Sequence, residues 1–234
     1  AKIYSIINTI KNSEGIILIY SSYIDGGCVP VALALEEIGI TRWEEKGGRS
    51  KSLFENAPKK SIGKYVMITG DKQLSPSNKK ELKACTEPDN INGEKVRVII
   101  ISRAGSEGLD FKNIRQVHIL EPWYNMNRAD QIIGRGVRNK SHCDLPFNKR
   151  TVEIFLYGSQ LIDRTIEPID LYVYRLAEKK AKKIGEITRL LKENSVDCLL
   201  NISQQDMIES NMNKTVDLEL SSGKKIKFSV GHKS

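Results

Sequence analysis

The chain has 234 residues, of which 39% are hydrophobic and 28% are charged, and its formal net charge is +8. No apolar run approaches the length of a membrane span and no signal peptide is visible, so we expect no membrane partner. Cys28, Cys85, Cys143 and Cys198 lie far apart and the histidines do not pair at ligand spacing, which argues against a disulfide framework or a metal site and favours a reducing, cytoplasmic compartment.

Short apolar runs alternate with helical patterns as far as residue 158, which predicts an α/β fold built on a parallel sheet with right-handed crossovers. Strands are predicted at 15–20, 64–70, 95–102, 116–120 and 151–158. Helices are predicted at 29–39, 75–87 and 127–138, the second with Ser75 as its cap and Pro76 at its first position. The polar residues 41–64 have no clear period and are predicted to be an insertion or a long loop.

After Gly158 the pattern changes. Residues 167–201 have helical periodicity with many Lys and Glu, which predicts one long helix or two packed on the α/β unit. Residues 215–230 alternate apolar and polar positions around a Ser-Ser-Gly turn, which predicts a terminal β-hairpin. We therefore place a domain boundary near residue 160, with a first domain at 1–160 and a helical extension and hairpin tail at 161–234.

Three segments follow predicted strands at the edge where open parallel sheets bind ligands. They are 21–23, 102–111 and 121–125. In the second segment Ser102, Gly105, Ser106 and Gly108 would let a ligand approach the backbone closely, and their N–H groups could hold a phosphate, although such a turn is more often only a turn. Trp123 and Tyr124 in the third segment are either a stacking platform for bases or packing between the sheet and the appended helix, and we favour packing.

Gln131, Arg135 and Arg138 are spaced four and three residues apart, which would place them on one face of a helix. Two guanidinium groups side by side indicate an anion between them, although a surface carboxylate is the ordinary partner for such residues. Gly134 and Gly136 flank this face and each costs the helix about 1 kcal/mol relative to Ala. The cost suggests that something lies close to the helix surface.

The motifs resemble those of the second RecA-like domain of superfamily 2 helicases. "IIISRAGSEGLDF" (99–111) resembles motif V, "QIIGRGVR" (131–138) resembles motif VI, and "ILIYSSY" (17–23) resembles motif IV. "QVHILEPWYN", "GRGVRNKSH" and "LLKENSVDCLLN" are similar to segments of the poxvirus and giant-virus branch, of the nucleoside triphosphatase I and early-transcription-factor small-subunit type. The resemblance runs from about residue 15 to residue 201.

The resemblance implies roles for individual residues. Arg138 would be an arginine finger, Arg135 a second γ-phosphate ligand, and Gln131 would orient the attacking water or the phosphate. Gly108 and Asp110 would lie near the nucleotide, Asp110 at its ribose. The implied nucleic-acid contacts are Ser21, Ser22, Ser102 and Arg103.

The sequence contains neither G-x-x-x-x-G-K-[ST] nor D-E-x-[DH], the motifs that bind the phosphates and place Mg²⁺. The resemblance therefore implies half an active site, with ATP and Mg²⁺ held mainly by the first RecA-like domain of the same protein. The function it implies is the C-terminal half of a viral ATP-dependent helicase or translocase that acts on DNA or RNA with the viral transcription machinery, in the host cytoplasm or the virion. A catalytically inactive nucleic-acid or protein-binding module, and a duplex DNA translocase that does not unwind, remain open alternatives.

Overall fold

A computed structural model describes residues 2–44, 51–54, 61–104, 108–163, 165–196, 210, 213–219 and 223–229. Its centre is a six-stranded sheet in the order β2-β3-β4-β1-β5-β6, in which every pairing is parallel. The strands are β1 (Ile16–Ser21), β2 (Ile40–Arg42), β3 (Gly63–Ile68), β4 (Val98–Ser102), β5 (Ile114–Ile119) and β6 (Glu153–Leu156). The sheet confirms the predicted α/β class.

Helices cover both faces of this sheet. They are α1 (Lys2–Lys11), α2 (Val29–Glu37), α3 (Asn78–Thr86) and α4 (Asn127–Gly136), and a fifth helix, α5 (Ile169–Glu193), follows β6. Apolar residues of α1 and α2 pack with alternate residues of β1 in one core, and those of α3 and α4 pack with the remaining residues of β1 in the other. A separate antiparallel pair, β7 (Thr215–Glu219) and β8 (Lys225–Ser229), confirms the predicted hairpin.

The central strands have the sequences that burial on two faces requires. Every residue of β1 and β4 is buried, and the two strands pair in register from Ile17 opposite Val98 to Ser21 opposite Ser102. A strand covered on both faces carries a continuous apolar run instead of an alternating one. The pairing brings the ends of both strands, and the segments that follow them, to the same edge of the sheet.

Three elements differ from the sequence-based expectations. The α1 helix was not predicted, although Ile3, Ile6, Ile7 and Ile10 recur at helical spacing. The β2 strand lies at the start of the predicted insertion, and its three residues are too few to show a period. The α3 helix begins at Asn78 and not at Ser75, whose buried hydroxyl donates to the carbonyl oxygen of Met67 at 2.5 Å instead of capping the helix.

Buried polar side chains lie around β2 and β3, the two strands between which the predicted insertion runs. Arg42 of β2 forms an ion pair with Glu81 of α3 at 2.8 Å, and both side chains are almost completely buried. The Glu36 carboxylate accepts hydrogen bonds from the backbone N–H groups of Leu53 and Phe54, at 2.9 and 2.8 Å. Part of the insertion is therefore fixed to α2, because a buried carboxylate is costly without such donors.

His118 of β5 is completely buried, with Nδ1 2.8 Å from the Tyr157 hydroxyl and Nε2 3.2 Å from Oε1 of Gln116. Burial lowers the pKa of His118 to about 4. Below the unfolded pKa of about 6.5 the unfolded chain binds a proton that the native chain does not, so stability falls as the pH falls toward 4. We expect His118 to remove about 1 kcal/mol from the free energy of unfolding between about pH 7 and pH 5.5.

Urea unfolding of the chain and of His118→Leu at both pH values measures this contribution. The variant loses two hydrogen bonds at every pH, so only the pH-dependent difference is informative. An equal loss of stability on acidification in both proteins would show that His118 titrates normally.

Candidate functional site

The segments that follow β1, β4 and β5 meet at the carboxyl-terminal edge of the sheet. The strands are adjacent, in the order β4-β1-β5, and end at Ser102, Ser21 and Ile119. In open α/β sheets this edge is where ligands bind, because loops from neighbouring strands converge there without covering one another.

Two arginines converge on one carboxylate at this edge. Nη1 of Arg138 lies 2.5 Å from Oδ2 of Asp110, and Nη1 of Arg135 lies 4.0 Å from Oδ1 of the same residue. Arg135 also donates to the carbonyl oxygen of Leu109 at 3.2 Å, and its own carbonyl oxygen accepts from Phe111 N–H at 3.0 Å. The segment after β4 is thus fixed to the end of α4, with an anionic group held between two cations.

The predicted helical face is wrong in one respect. The α4 helix ends at Gly136, and the following residue, Val137, is extended, so Arg138 does not continue the helix. Instead Arg138 folds back and its Nε donates to the carbonyl oxygen of Gly134 at 3.0 Å. A carbonyl group near a helix end lacks an intrahelical partner, so the arginine satisfies it and is held beside the last turn.

The flanking glycines have different explanations. A Cβ on Gly136 would lie 3.1–3.2 Å from the side chain of Ile114, so this glycine permits close packing of α4 on β5. A Cβ on Gly134 would meet nothing within 4 Å. Gly108, in the segment after β4, has a φ of +70°, a conformation that favours glycine.

The backbone of Arg138 is bonded to Ser141, and Ser141 is bonded to His142. Sequence reasoning selected neither residue. The Ser141 hydroxyl accepts from the Arg138 N–H at 3.1 Å and lies 2.7 Å from Nδ1 of His142. The His142 Nε2 lies 2.7 Å from the carbonyl oxygen of Ile114 and donates to it, which leaves Nδ1 to accept from Ser141. The only signal in the sequence was their place in "GRGVRNKSH".

The remaining residues of the predicted nucleotide site are exposed. Gln131 lies one turn before Arg135 on α4 and is exposed, as are Gly108 and Asp110. Gly105 and Ser106, predicted to allow close approach of a phosphate, lie outside the described residues.

Ser21 and Ser22 have different surroundings. Ser21 is completely buried, and its hydroxyl contacts Oε1 of Glu121 and the carbonyl oxygen of Tyr23, both at 3.0 Å. The same Glu121 oxygen accepts from the backbone N–H of Ser22. The predicted phosphate contact of the Ser21 hydroxyl does not agree with its burial, whereas Ser22 is partly exposed.

Glu121 is therefore a site residue that the sequence reasoning missed. It joins the segment after β5 to the segment after β1, and its burial raises the pKa of the carboxyl group. A Cβ on Gly27 would lie 1.9 Å from the Ser21 hydroxyl, so this glycine lets the turn close over the bonded pair.

At the end of β4, Ser102 is buried while Arg103 is exposed. The Arg103 guanidinium lies 5.8 Å from the ring centroid of Trp123, and that of Arg128 lies 4.1 Å from it on the same ring. Trp123 shares a small cavity with Tyr174 of α5, in agreement with the favoured packing interpretation. Tyr124 does not line that cavity and is 53% exposed, so the interpretation is wrong for it.

The described ranges contain no group of three or more His, Cys, Asp or Glu side chains that could hold a metal ion. Among the same residues no helix is long and apolar enough to cross a membrane.

The sheet order and the flanking helices define a RecA-like domain. The fold is similar to that in the crystal structure of the C-terminal part of the Fun30 ATPase domain, with a TM-score of 0.51 and 15% sequence identity over 75% of this chain and 44% of that one. Residues 2–140 match the helicase conserved C-terminal domain family, and the chain belongs to that family.

Similar sequences occur in viral proteins. The chain is 31% identical over 233 residues to a termination factor NPH-I homolog of African swine fever virus, and the matched region covers 86% of the chain and 33% of that protein. It is 32% identical over 208 residues to protein 087L of Invertebrate iridescent virus 3, which is named as a candidate helicase. The matched region covers 87% of the chain and 20% of that protein. The chain thus spans a fifth to a third of the length of these relatives.

Proposed function

We propose that the chain is the C-terminal half of the two-domain ATPase core of a viral ATP-dependent helicase or translocase, in which Arg135 and Arg138 act on the γ-phosphate of ATP. The observation that carries the proposal is the Asp110 carboxylate between the two guanidinium groups. In the proposal, this carboxylate takes the position that the γ-phosphate of ATP occupies between the two arginines. Phosphoryl transfer spreads negative charge over the γ-phosphate oxygens, and preorganised guanidinium groups stabilise that charge.

The Asp110 contact is easily exchanged for a phosphate. Asp110 is 59% exposed and Arg138 is 47% exposed, so solvent screens their interaction. Exposed ion pairs of this kind contribute about 0–1 kcal/mol. A triphosphate brought to this edge can therefore take the place of the carboxylate, which leaves Asp110 free to accept a hydrogen bond from the ribose.

ATP and Mg²⁺ in this proposal are held mainly by the first RecA-like domain, which supplies the phosphate loop and the magnesium-binding carboxylates. The chain presents its arginines across the cleft from that domain, and Gln131 orients the attacking water or the phosphate. The exposed backbone at Gly108 lets the nucleotide approach the segment after β4.

Ser22 and Arg103 form the proposed contact with the nucleic-acid backbone. Both are accessible at the edge where β1 and β4 end, and Arg103 carries a charge suited to phosphate. Ser21, Ser102 and Glu121 lie behind this surface, and Glu121 fixes the Ser22 backbone by its hydrogen bond. We propose that these three residues position the contact rather than make it.

A role in viral transcription is supported by the name of the African swine fever virus relative, a termination factor homolog. A duplex DNA translocase that does not unwind is the second candidate, because "SRAGSEGLD" (102–110) also resembles the version of motif V found in chromatin remodellers. Strand separation assayed beside ATP-driven displacement of a blocking protein distinguishes the two in the longer protein.

The nucleic-acid surface is tested with the chain itself. We expect weak binding to labelled DNA and RNA with little dependence on base sequence, and a log affinity that falls linearly with log salt at a slope of about −0.9 for each duplex phosphate neutralised. Arg103→Ala should reduce the magnitude of this slope by about 1. Fluorescence anisotropy over a salt series measures both quantities.

Lys149→Ala is the matched control. It removes the same charge, but Lys149 lies beside Glu14 and Gly15 at the opposite edge of the sheet. Equal slope changes in both variants would indicate diffuse attraction to a basic protein, and sequence-specific binding independent of salt would contradict the proposed contact.

A further inference from the structure

The α5 helix carries an apolar stripe that extends beyond its buried part. Val173, Ala177, Ile184, Ile187 and Leu191 follow one another at spacings of four, seven, three and four residues, which places them on one face of the helix. Val173 and Ala177 are buried, and the Tyr174 hydroxyl beside them donates to the carbonyl oxygen of Tyr157 at 3.3 Å. The first half of the stripe is therefore used to attach α5 to the domain.

The second half of the stripe is exposed. Ile184 is 51% exposed, Ile187 is 58% exposed and Leu191 is 68% exposed, with Leu190 beside them at 60%. Four large aliphatic side chains within about 11 Å of helix length are more than the single exposed apolar residues that a surface ordinarily carries. The spacing is that of a seam against another helix, since alternate steps of three and four residues produce knobs-into-holes packing.

The charges beside the stripe identify the kind of helix that fits. Residues 178–193 contain six basic and three acidic side chains, a net charge of +3. Lys180 falls within the stripe itself, between Ala177 and Ile184, and Lys183 lies along its border with Lys179. A second copy of this helix would bring lysines against lysines, whereas a helix with acidic flanks would pair with them.

We infer that the exposed half of α5, residues 180–193, is a docking surface for an amphipathic helix of a partner protein that has an aliphatic seam and acidic flanks. The aliphatic side chains supply the area buried on binding, and the lysines select the acidic partner and set its register. The inference does not depend on the nucleotide and nucleic-acid contacts proposed above, because it uses none of their residues.

The probe is a labelled synthetic helix with Leu at its seam positions and Glu at its flanking positions, beside a matched peptide with Lys in place of every Glu. We expect the chain to bind the Glu peptide and not the Lys peptide in an anisotropy titration. Ile187→Ser should weaken binding of the Glu peptide about tenfold or more, because one buried Ile contributes at least that much. Since Ile187 is exposed, the variant should retain the circular dichroism spectrum and melting temperature of the chain.

Charge reversal tests the selection step. Lys180→Glu with Lys183→Glu should exchange the preference so that the Lys peptide binds, while Lys182→Glu with Arg189→Glu, which changes the opposite face by the same charge, should preserve it. Equal binding of both peptides, or of neither, would overturn the inference. Two other results would also overturn the inference. The first is that the chain self-associates through Ile187, and the second is that it binds vesicles of phosphatidylcholine and phosphatidylserine through Ile187; in either case Ile187→Ser would abolish that interaction while the Glu peptide does not bind.

Discussion

In the longer ATPase of which we propose this chain is a part, Arg138→Ala is expected to lower kcat by about 10³–10⁵-fold while ATP binding changes little. The arginine would meet charge that develops in the transition state, so its loss affects the rate more than the affinity. Arg138 already has a fixed geometry, since its Nε is bonded to the Gly134 carbonyl and its backbone to Ser141. Single-turnover and steady-state phosphate release, with nucleotide binding measured separately, resolve the two effects.

Arg135→Ala should behave similarly, and Arg138→Lys should restore little of the rate because lysine lacks the planar fork of donors. Arg128→Ala is the control. Arg128 lies in the first turn of the same helix and its guanidinium packs over the ring of Trp123, so its loss should cost much less. If Arg128→Ala and Arg138→Ala reduced kcat equally, α4 would be a general basic surface, and the proposed transition-state contact would be refuted.

The chain by itself is expected to hydrolyse no ATP above background, even with nucleic acid present. Its sequence contains neither the phosphate loop nor the acidic motif that places Mg²⁺, and paired arginines alone do not position a nucleotide for attack. Release of inorganic phosphate by the purified chain, measured with saturating ATP, Mg²⁺ and DNA or RNA, tests this expectation.

A complementation experiment gives the same prediction a positive control. Addition of a polypeptide that carries the first RecA-like domain of the same protein should restore nucleic-acid-dependent turnover, and the chain bearing Arg138→Ala should not restore it. Appreciable turnover by the chain alone would contradict the half-site interpretation. Nucleic-acid binding without any turnover in the mixture would favour the inactive binding module.

The sequence was sufficient for the elements whose pattern is local. The continuous apolar runs of β1 and β4 predicted buried parallel strands, and alternation around Ser-Ser-Gly predicted the hairpin. The motif VI residues Arg135 and Arg138 were selected from spacing and resemblance, and the structure places both guanidinium groups at one carboxylate. Such features can be read from sequence because periodicity and residue type determine which face of an element is buried.

Only the tertiary structure decided how the site is assembled. The helix ends at Gly136, which packs against Ile114 of β5, and Arg138 reaches the site by folding back, which helical spacing could not predict. Glu121 and Ser21 are 100 residues apart in sequence, yet they form one bonded pair because β1 and β5 are neighbours in the sheet. Contacts of this kind depend on strand order, and strand order is a property of the whole fold that no local pattern contains.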